Sequence, residues 1–502
     1  MTISKKLALS FFVSLNLLTI TNSIAQKTKS KTSKKEPVKS TLLSYEKYID
    51  ENNDAHLKEY LELVSIPSIS SIPEHKADVA KAADWIVSKL KSLGMTAQTL
   101  PTGGHPMVSG SWDKAVGKPT VLIYAHYDVQ PVKESEWNIP PFSPKVMDGK
   151  IFGRGSSDDK SGVMISLFAI ETFLKTDGKL PVNVKVIFEG EEEMGSLNFN
   201  STLEKNKDLF KADFALNADG DMYNEATPSI LMSLRGSATM EFNIKTANTD
   251  AHSGQFGGKT PNSAVAMSQI IASLFTKEGN VAVEGFYDKV IPATLKEKEM
   301  IRKIPYDKTE DMHLLGTTAE VGDATFLPLE RLWNRPTLEI IGLQSGYTAP
   351  EGHSNIIPGS AMARITCRLV SNQTGPEINA LIVKHINKNL PAGATVTYKL
   401  GQGFAKPMKF LDDTKEYRYV AAALNEIYGK QPIQIGTGGS IGSLVSIKEN
   451  LGIYAYSLGF ELPDERWHSA NEFFRISSIR KGILTYCYYL QHLADEESKL
   501  KK

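Results

Sequence analysis

Apolar residues mark out the elements of this chain before any motif does. Val79, Ala82, Ala83, Ile86, Leu90 and Leu93 recur at the three- and four-residue spacing of one helix face, and Gly94 ends the run. TVLIY (120–124) is short and continuously apolar, which predicts a strand covered on both faces. KSGVMISLFAIETFL (160–174) is apolar on most sides and predicts a buried helix. VNVKVIF (182–188) and DFALNA (213–218) predict further strands. Helices and strands in alternation predict an α/β layer with a mainly parallel sheet covered by helices.

The pattern changes after Arg235. SATMEFNIK (237–245) alternates cleanly, with Met240, Phe242 and Ile244 on one face, and ARITCRLV (363–370) does the same. Strands with one wet face predict a smaller, mainly antiparallel sheet. Helical patterns at 261–275 and 376–389 would cover its other face. Near residue 405 the first pattern returns, with a helix at 415–428, a strand at LGIYAYSL (451–458) and a helix at 478–494. The expected organisation is one α/β domain, residues 42–235 and 405–502, interrupted by a second domain at 236–404. There is no internal repeat.

The N-terminus follows another logic. MTISKK is cationic, LALSFFVSLNLLTI is apolar, and Ser23 and Ala25 are small residues at the positions a signal peptidase reads. Residues 1–25 are therefore expected to be a signal peptide, cleaved between Ala25 and Gln26. The apolar run is too short to span a bilayer comfortably, and no later run is apolar enough. No cysteine follows the run to carry a lipid. Residues 26–41 are Lys/Ser/Thr-rich and predict a flexible linker. The expectation is a secreted or periplasmic protein with no stable membrane insertion.

Composition narrows the partners. Lys+Arg and Asp+Glu are equal at 57 each, so charge gives no reason to expect nucleic acid or an anionic membrane. The two cysteines form no metal-binding pair. Cys367 continues the alternation Ala363, Ile365, Leu369 and reads as a small core residue; Cys487 stands alone.

Candidate chemistry collects after the predicted strands. YAHYDVQP (124–131) places His126 and Asp128 on one side of extended chain, where a carboxylate can orient an imidazole toward a metal. A His in such a place is also an ordinary structural residue. GRGSSDDKSG (153–162) places Asp158 and Asp159 before the buried helix, where capping is the plain alternative. IFEGEEEMGS (187–196) packs Glu189, Glu191, Glu192 and Glu193 into five positions, either as a solvated acidic loop or as a cation site. NADGD (217–221) and ERWHSANEFF (465–474) add Asp219 and His468. Sites in open α/β sheets gather at the carboxyl ends of strands, and a series of acidic and His motifs there points to a metal site. Imidazole and carboxylate without thiolate suit zinc, with manganese or cobalt as alternatives. The donors exceed what one ion needs, so two are expected. Two dications balance three ligand carboxylates and one hydroxide, which leaves a further Glu free as a base.

HYDVQP, GRGSSDDK, EGEEEMGS, the Asp after the next strand, HSGQFGG, GGS and HSANE, in this order, resemble the di-zinc metallopeptidase family of carnosine dipeptidases, aminoacylases, and acetylornithine and succinyl-diaminopimelate deacylases, the dipeptidase branch most of all. The resemblance covers nearly all of the chain after Leu42. It implies an inserted α+β, ferredoxin-like domain that serves as lid and dimerisation surface. It implies two Zn2+ per chain, one held by His126 and Asp219, the other by Glu193 and His468, with Asp158 bridging through a cis bond to Asp159. Asp128 would orient His126, and Glu192 would be the general base. His252 would reach the active site of the partner subunit and stabilise the oxyanion. Asn355, Arg368 and Ser440 match substrate-binding positions. Ser161 stands where the family usually has Gly, and Asn355 where the dipeptidase branch often has Thr. Glu189 and Glu191 are then left solvated or locally hydrogen-bonded. The implied activity is amide hydrolysis of dipeptides or short peptides by a homodimer, with N-acyl amino acid deacylation as the alternative on the same centre.

Other readings compete. GGSIG (438–442) fits G-x-S-x-G, with Asp464 and His468 in α/β-hydrolase order, but too little chain follows Ser440 for the remaining strands. SDDK (157–160) lacks the S-D-N and K-T-G of a serine-dependent lactamase. FGGKT (256–260) fails as a phosphate loop because Ser253 stands where its first Gly is needed. A non-catalytic binding protein would be expected to lose the base or a ligand first, and none is lost here.

Overall fold

The computed structural model describes residues 37–347, 355–401 and 405–500. The expected signal peptide and most of the expected linker lie outside these residues. The helix Pro37–Glu51 begins ahead of Leu42, so the last part of the expected linker is helical.

The main sheet has six strands, in the order Thr96–Leu100, Met107–Trp112, Asn183–Glu189, Thr120–His126, Phe214–Asn217, Ala455–Ser457. The last four run parallel, while Thr96–Leu100 and Met107–Trp112 form an antiparallel edge. Val121, Leu122, Ile123 and Tyr124 are fully buried, as their unbroken apolar run requires. Register sets the site: His126 pairs with Glu189, so two strands end at one level, and Tyr124 pairs with Asn217, so the third ends two residues earlier and leads into Asp219.

The buried helix runs Lys160–Thr176 and packs on Ile476–Leu500. The approach is close enough that a Cβ on Gly482 would meet Ile165 at 2.8 Å. On its outer side Glu171 accepts Lys89 Nζ at 2.5 Å and the Tyr48 hydroxyl at 2.9 Å, tying three helices together. Burial pushes the Glu171 carboxyl up, but His56 at 3.7 Å, Lys89 and Tyr48 outweigh it and hold it down at about 2.

The second sheet is wholly antiparallel, in the order Thr337–Ser345, Ser360–Leu369, Gly236–Lys245, Thr395–Leu400. Helices Ser263–Ser273 and Gly375–Lys388 cover one face, which makes the βαββαβ order of a ferredoxin-like unit. Its core is built from the alternating positions Ala238, Met240, Phe242, Ile244, Ile365 and Cys367, with Ile270 and Ile382 from the helices. The chain enters and leaves this sheet side by side: Ser237 donates its backbone N–H to Ala405 O at 2.9 Å.

Three features differ from the expectations. LGIYAYSL is not one strand: the helix Gly442–Leu451 runs into it, Gly452 stops that helix at φ +75°, and only Ala455–Ser457 is extended. Ser229–Leu234 pairs with Ile433–Gly436 and Met408–Lys409 in a third, small sheet. Helices Leu295–Lys303, Lys308–Leu315 and Pro328–Asn334 lie within the inserted segment, and Ile301, Ile304 and Leu329 form a small separate core with Ile435 of the third sheet. No helix of the described residues is long and apolar enough to cross a membrane.

Candidate metal centre

His126 is the last residue of its strand and is buried. Its Nε2 lies 3.0 Å from Asp158 Oδ1, and its Nδ1 lies 3.1 Å from the backbone oxygen of Asp128 and 3.5 Å from Asp128 Oδ1. The other oxygen of Asp158, Oδ2, lies 3.0 Å from His468 Nε2. His468 Nε2 is also 3.2 Å from Glu193 Oε2. Asp158 thus presents one oxygen to each imidazole, and its bond to Asp159 is cis. Two groups of donor atoms, each within 4.8 Å of one another, result: His126 with Asp159 and Asp219, and Asp158 with Glu193 and His468.

Asp159 was expected only as the cis neighbour and candidate cap, and it does cap. Its Oδ1 accepts Gly162 N at 3.0 Å at the start of the buried helix, and its Oδ2 accepts His126 N at 3.1 Å. Asp219 follows the strand Phe214–Asn217, and Asn217 bonds to its backbone through the side chain on both sides.

A dication in each group fits this donor set. Burial and then the neighbouring carboxylates of Asp158, Glu193 and Asp221 push Asp219 up to about 7 despite His126. Hydrogen bonds to Asp158 and Glu193 push His468 up to about 10. Burial lowers the His126 pKa, but Asp128 and Asp158 outweigh it and hold it well above the usual value. Crowded carboxylates that trap protons are what a bound cation relieves. Oxygen and imidazole donors without thiolate suit zinc, manganese or cobalt.

The four glutamates divide by environment. Glu189 and Glu191 are both buried rather than solvated. Glu191 accepts His105 N at 2.8 Å and Asn198 N at 3.1 Å, so it braces the loop. Glu189 accepts the Tyr124 hydroxyl at 3.1 Å, and burial pushes it up to about 8. Glu193 accepts Gln130 Nε2 at 2.8 Å. Glu192 alone among the four has no side-chain hydrogen bond within the described residues. Burial, then Asp219, Glu189 and Glu193, hold its carboxyl well above the usual range against the pull of His126.

Asp128 does more than orient His126. Fully buried, it accepts Glu192 N at 3.2 Å, Glu193 N at 3.1 Å and Ser70 Oγ at 2.6 Å, so it also fixes the turn Glu192–Met194. Glu472 was missed in the sequence although it lies in HSANE. Its buried carboxylate accepts the N–H groups of Gly155, Ser157 and Asp158 and Arg154 Nη1. Glu465 was missed too, and accepts Ser157 Oγ at 2.6 Å and Arg475 Nη1 at 3.1 Å. Only their repeated nearness to the ligand motifs could have flagged them. The loop they brace holds Arg466, His468 and Asn471 at positive φ, a strained path for non-glycine residues.

The remaining candidates belong to neither donor group. His252 ends the short strand Ala251–His252, which pairs with Ile356–Ile357; it is exposed, and its Nδ1 accepts Gly254 N at 3.1 Å. Asn355, also exposed, accepts Ser253 N through its backbone at 2.9 Å, so His252 and Asn355 share one ribbon of the second domain. Among the described residues neither is bonded to the metal ligands. Arg368 Nη1 donates to Ser440 Oγ at 3.3 Å. A serine-hydrolase triad is not assembled: Ser440 donates to Arg235 O at 2.5 Å, Asp464 is paired with Arg475, and His468 faces Asp158 and Glu193.

Residues 122–492 match the family model described as Peptidase family M20/M25/M40. The chain is 27% identical over 462 residues to the Cys-Gly metallodipeptidase dug1 of Schizosaccharomyces pombe, covering 89% of this chain and 97% of that one. It is 28% identical over 446 residues to the Beta-Ala-His dipeptidase of Homo sapiens, covering 85% and 87%. The crystal structure of human carnosine dipeptidase 1 superposes with a TM-score of 0.77 at 26% identity, covering 90% of this chain and 99% of that one. An M20 family metallo-carboxypeptidase, Sso-CP2 from Sulfolobus solfataricus, gives a TM-score of 0.78 at 30% identity over 88% and 99%. With its paired donor groups at the ends of parallel strands, the chain belongs to Peptidase family M20/M25/M40 and is a metallopeptidase of the dipeptidase-like kind.

Proposed function

We propose that the protein hydrolyses the amide bond of dipeptides or short peptides, with Glu192 as general base. The observation that carries this is the contrast within one turn. Glu193 lies in a ligand group, while among the described residues the adjacent Glu192 carboxylate has no hydrogen-bond partner. Two zinc ions, one on His126 and Asp219 and one on Glu193 and His468 with Asp158 shared, would polarise the scissile carbonyl and lower the pKa of the attacking water from about 15.7 to roughly 7. Glu192 takes the proton of that water and passes it to the leaving amine nitrogen as the C–N bond breaks. Asp128 keeps His126 and the glutamate turn in place. Arg368, Ser440 and Asn355 bind the substrate.

The exposed His252 supports a homodimer through the inserted domain. Among the described residues it is hydrogen-bonded to none of the ligands of its own chain, which suits a role on the substrate of a second chain. The outer edge strand Thr337–Ser345 exposes Ile341 and Leu343, which suits an interface between copies. The charged, apolar and small-residue order of the N-terminus supports export.

A panel of dipeptides, short peptides and N-acetyl amino acids, assayed with the zinc-loaded protein and with Glu192→Gln, tests the reading. Dipeptide hydrolysis that Glu192→Gln abolishes supports it. Turnover confined to N-acetyl amino acids would replace it with a deacylase.

A further inference from the structure

Arg235 is the residue at which the chain passes from Ser229–Leu234 into the second domain. It is 6% exposed. Its backbone N–H donates to Gly439 O at 3.0 Å, its Nε donates to Gly438 O at 3.1 Å, and its backbone oxygen accepts the Ser440 hydroxyl at 2.5 Å. One residue therefore grips three consecutive positions of the turn. The fit is tight: a Cβ on Gly438 would meet Arg235 Nη2 at 2.9 Å.

The Ser440 proton is committed to Arg235 O, so its oxygen can only accept from Arg368 Nη1. Among the described residues the rest of the Arg368 fork has no hydrogen-bond partner. Among the described residues neither guanidinium has an ion-pair partner. Burial, then the positive charge of Arg368, lower the Arg235 pKa to about 10, with Glu339 opposing only in part. Two neighbouring cations with no carboxylate in ion-pair contact among the described residues favour an anion between them.

We propose that Arg235 is a positioning residue for substrate binding: it sets the Gly438–Ser440 turn and, through the Ser440 hydroxyl, aims Arg368 at an anionic end of the substrate. This rests on the peptidase reading above. It assigns Arg235 a part in affinity and in selection for a free carboxylate, and none in the proton transfers.

The test uses Glu192→Gln protein, which holds substrate without turning it over, and the dipeptide hydrolysed fastest in the panel together with its C-terminal amide. Calorimetry should show that Arg235→Met weakens binding of the free acid about 10–100-fold and barely changes binding of the amide. In an Arg368→Met background the same substitution should have almost no further effect, because Arg235 acts through Arg368. With Glu192 restored, KM should rise while kcat holds. Metal content and thermal midpoint report on folding. Should the methionine variant not fold, Arg235→Lys, which keeps the charge and loses the bond to Gly438, is judged by the same criteria. An unchanged preference for acid over amide, or an equal loss in the Arg368→Met background, overturns the proposal alone. Failure of Glu192→Gln to bind any dipeptide overturns it together with the peptidase reading.

Discussion

Glu472 accepts the backbone N–H of Asp158 at 3.1 Å. The shared carboxylate between the two imidazoles is therefore held by a residue of the loop that also carries His468. Removing the Glu472 charge should loosen both ligands at once. Glu472→Gln is expected to fold but to bind its ions about 10–100-fold more weakly, read by competition with a chelator. Glu472→Ala should in addition lower stability by about 3–5 kcal/mol, since it strands the buried Arg154.

Adjacent substitutions should separate the two glutamate roles. Glu192→Gln is expected to keep two divalent ions per chain by elemental analysis and lose about 10²–10⁴-fold in kcat. Glu193→Gln should lose an ion, with activity partly restored by excess metal. Chelation should abolish wild-type activity, and a serine-directed inhibitor should leave it intact. A fully active preparation with one ion or none would rule out the paired centre.

His252 offers a test across subunits. His252→Ala should fold, dimerise and retain metal, with kcat down about 10²–10³-fold for loss of one oxyanion donor. Mixing it with Glu192→Gln should return part of the activity after subunit exchange, because one site of a mixed dimer is intact. Mixed dimers that form and stay inactive would show that His252 does not act on the partner.

Away from the site, Glu171 should shape acid stability. Its folded carboxyl is held at about 2, below the usual 4.5, chiefly because its partners outweigh burial. A lowered carboxylate adds stability above the unfolded value and loses it as pH falls from about 4.5 towards 2. Urea unfolding of wild type and Glu171→Gln should differ most near neutrality and converge across that window. A constant gap down to pH about 2 would contradict the assignment.

What was legible in the sequence is what period and position carry. The strand TVLIYAH, the helix from Lys160 and the ferredoxin-like alternation declare themselves through apolar spacing. Acidic and His motifs gathered after predicted strands point to a metal site, while the choice of His126, Asp158, Glu193, Asp219 and His468 as ligands is what the family resemblance implies. For Glu189 and Glu191 the sequence leaves solvation and local hydrogen bonding open; the structure has the second, and only the fold supplies Tyr124, His105 and Asn198 as partners. Glu472 gives no signal beyond its nearness to His468, since one carboxylate that binds backbone N–H groups has no spacing to betray it. The helix Leu295–Lys303 escaped because LKEKEMIRK is mostly polar, and its apolar contact, Ile435, is far away in sequence.

The neighbouring crossings at Ser237 and Ala405 make the second domain a graft on an unbroken parent. Its two stubs are already within one hydrogen bond of each other, so a turn of a few residues would close the cut without rethreading the main sheet. The metal ligands, all on the parent side of the cut, would pass through an exchange of this module untouched, while the groups that meet the substrate from the module would change with it.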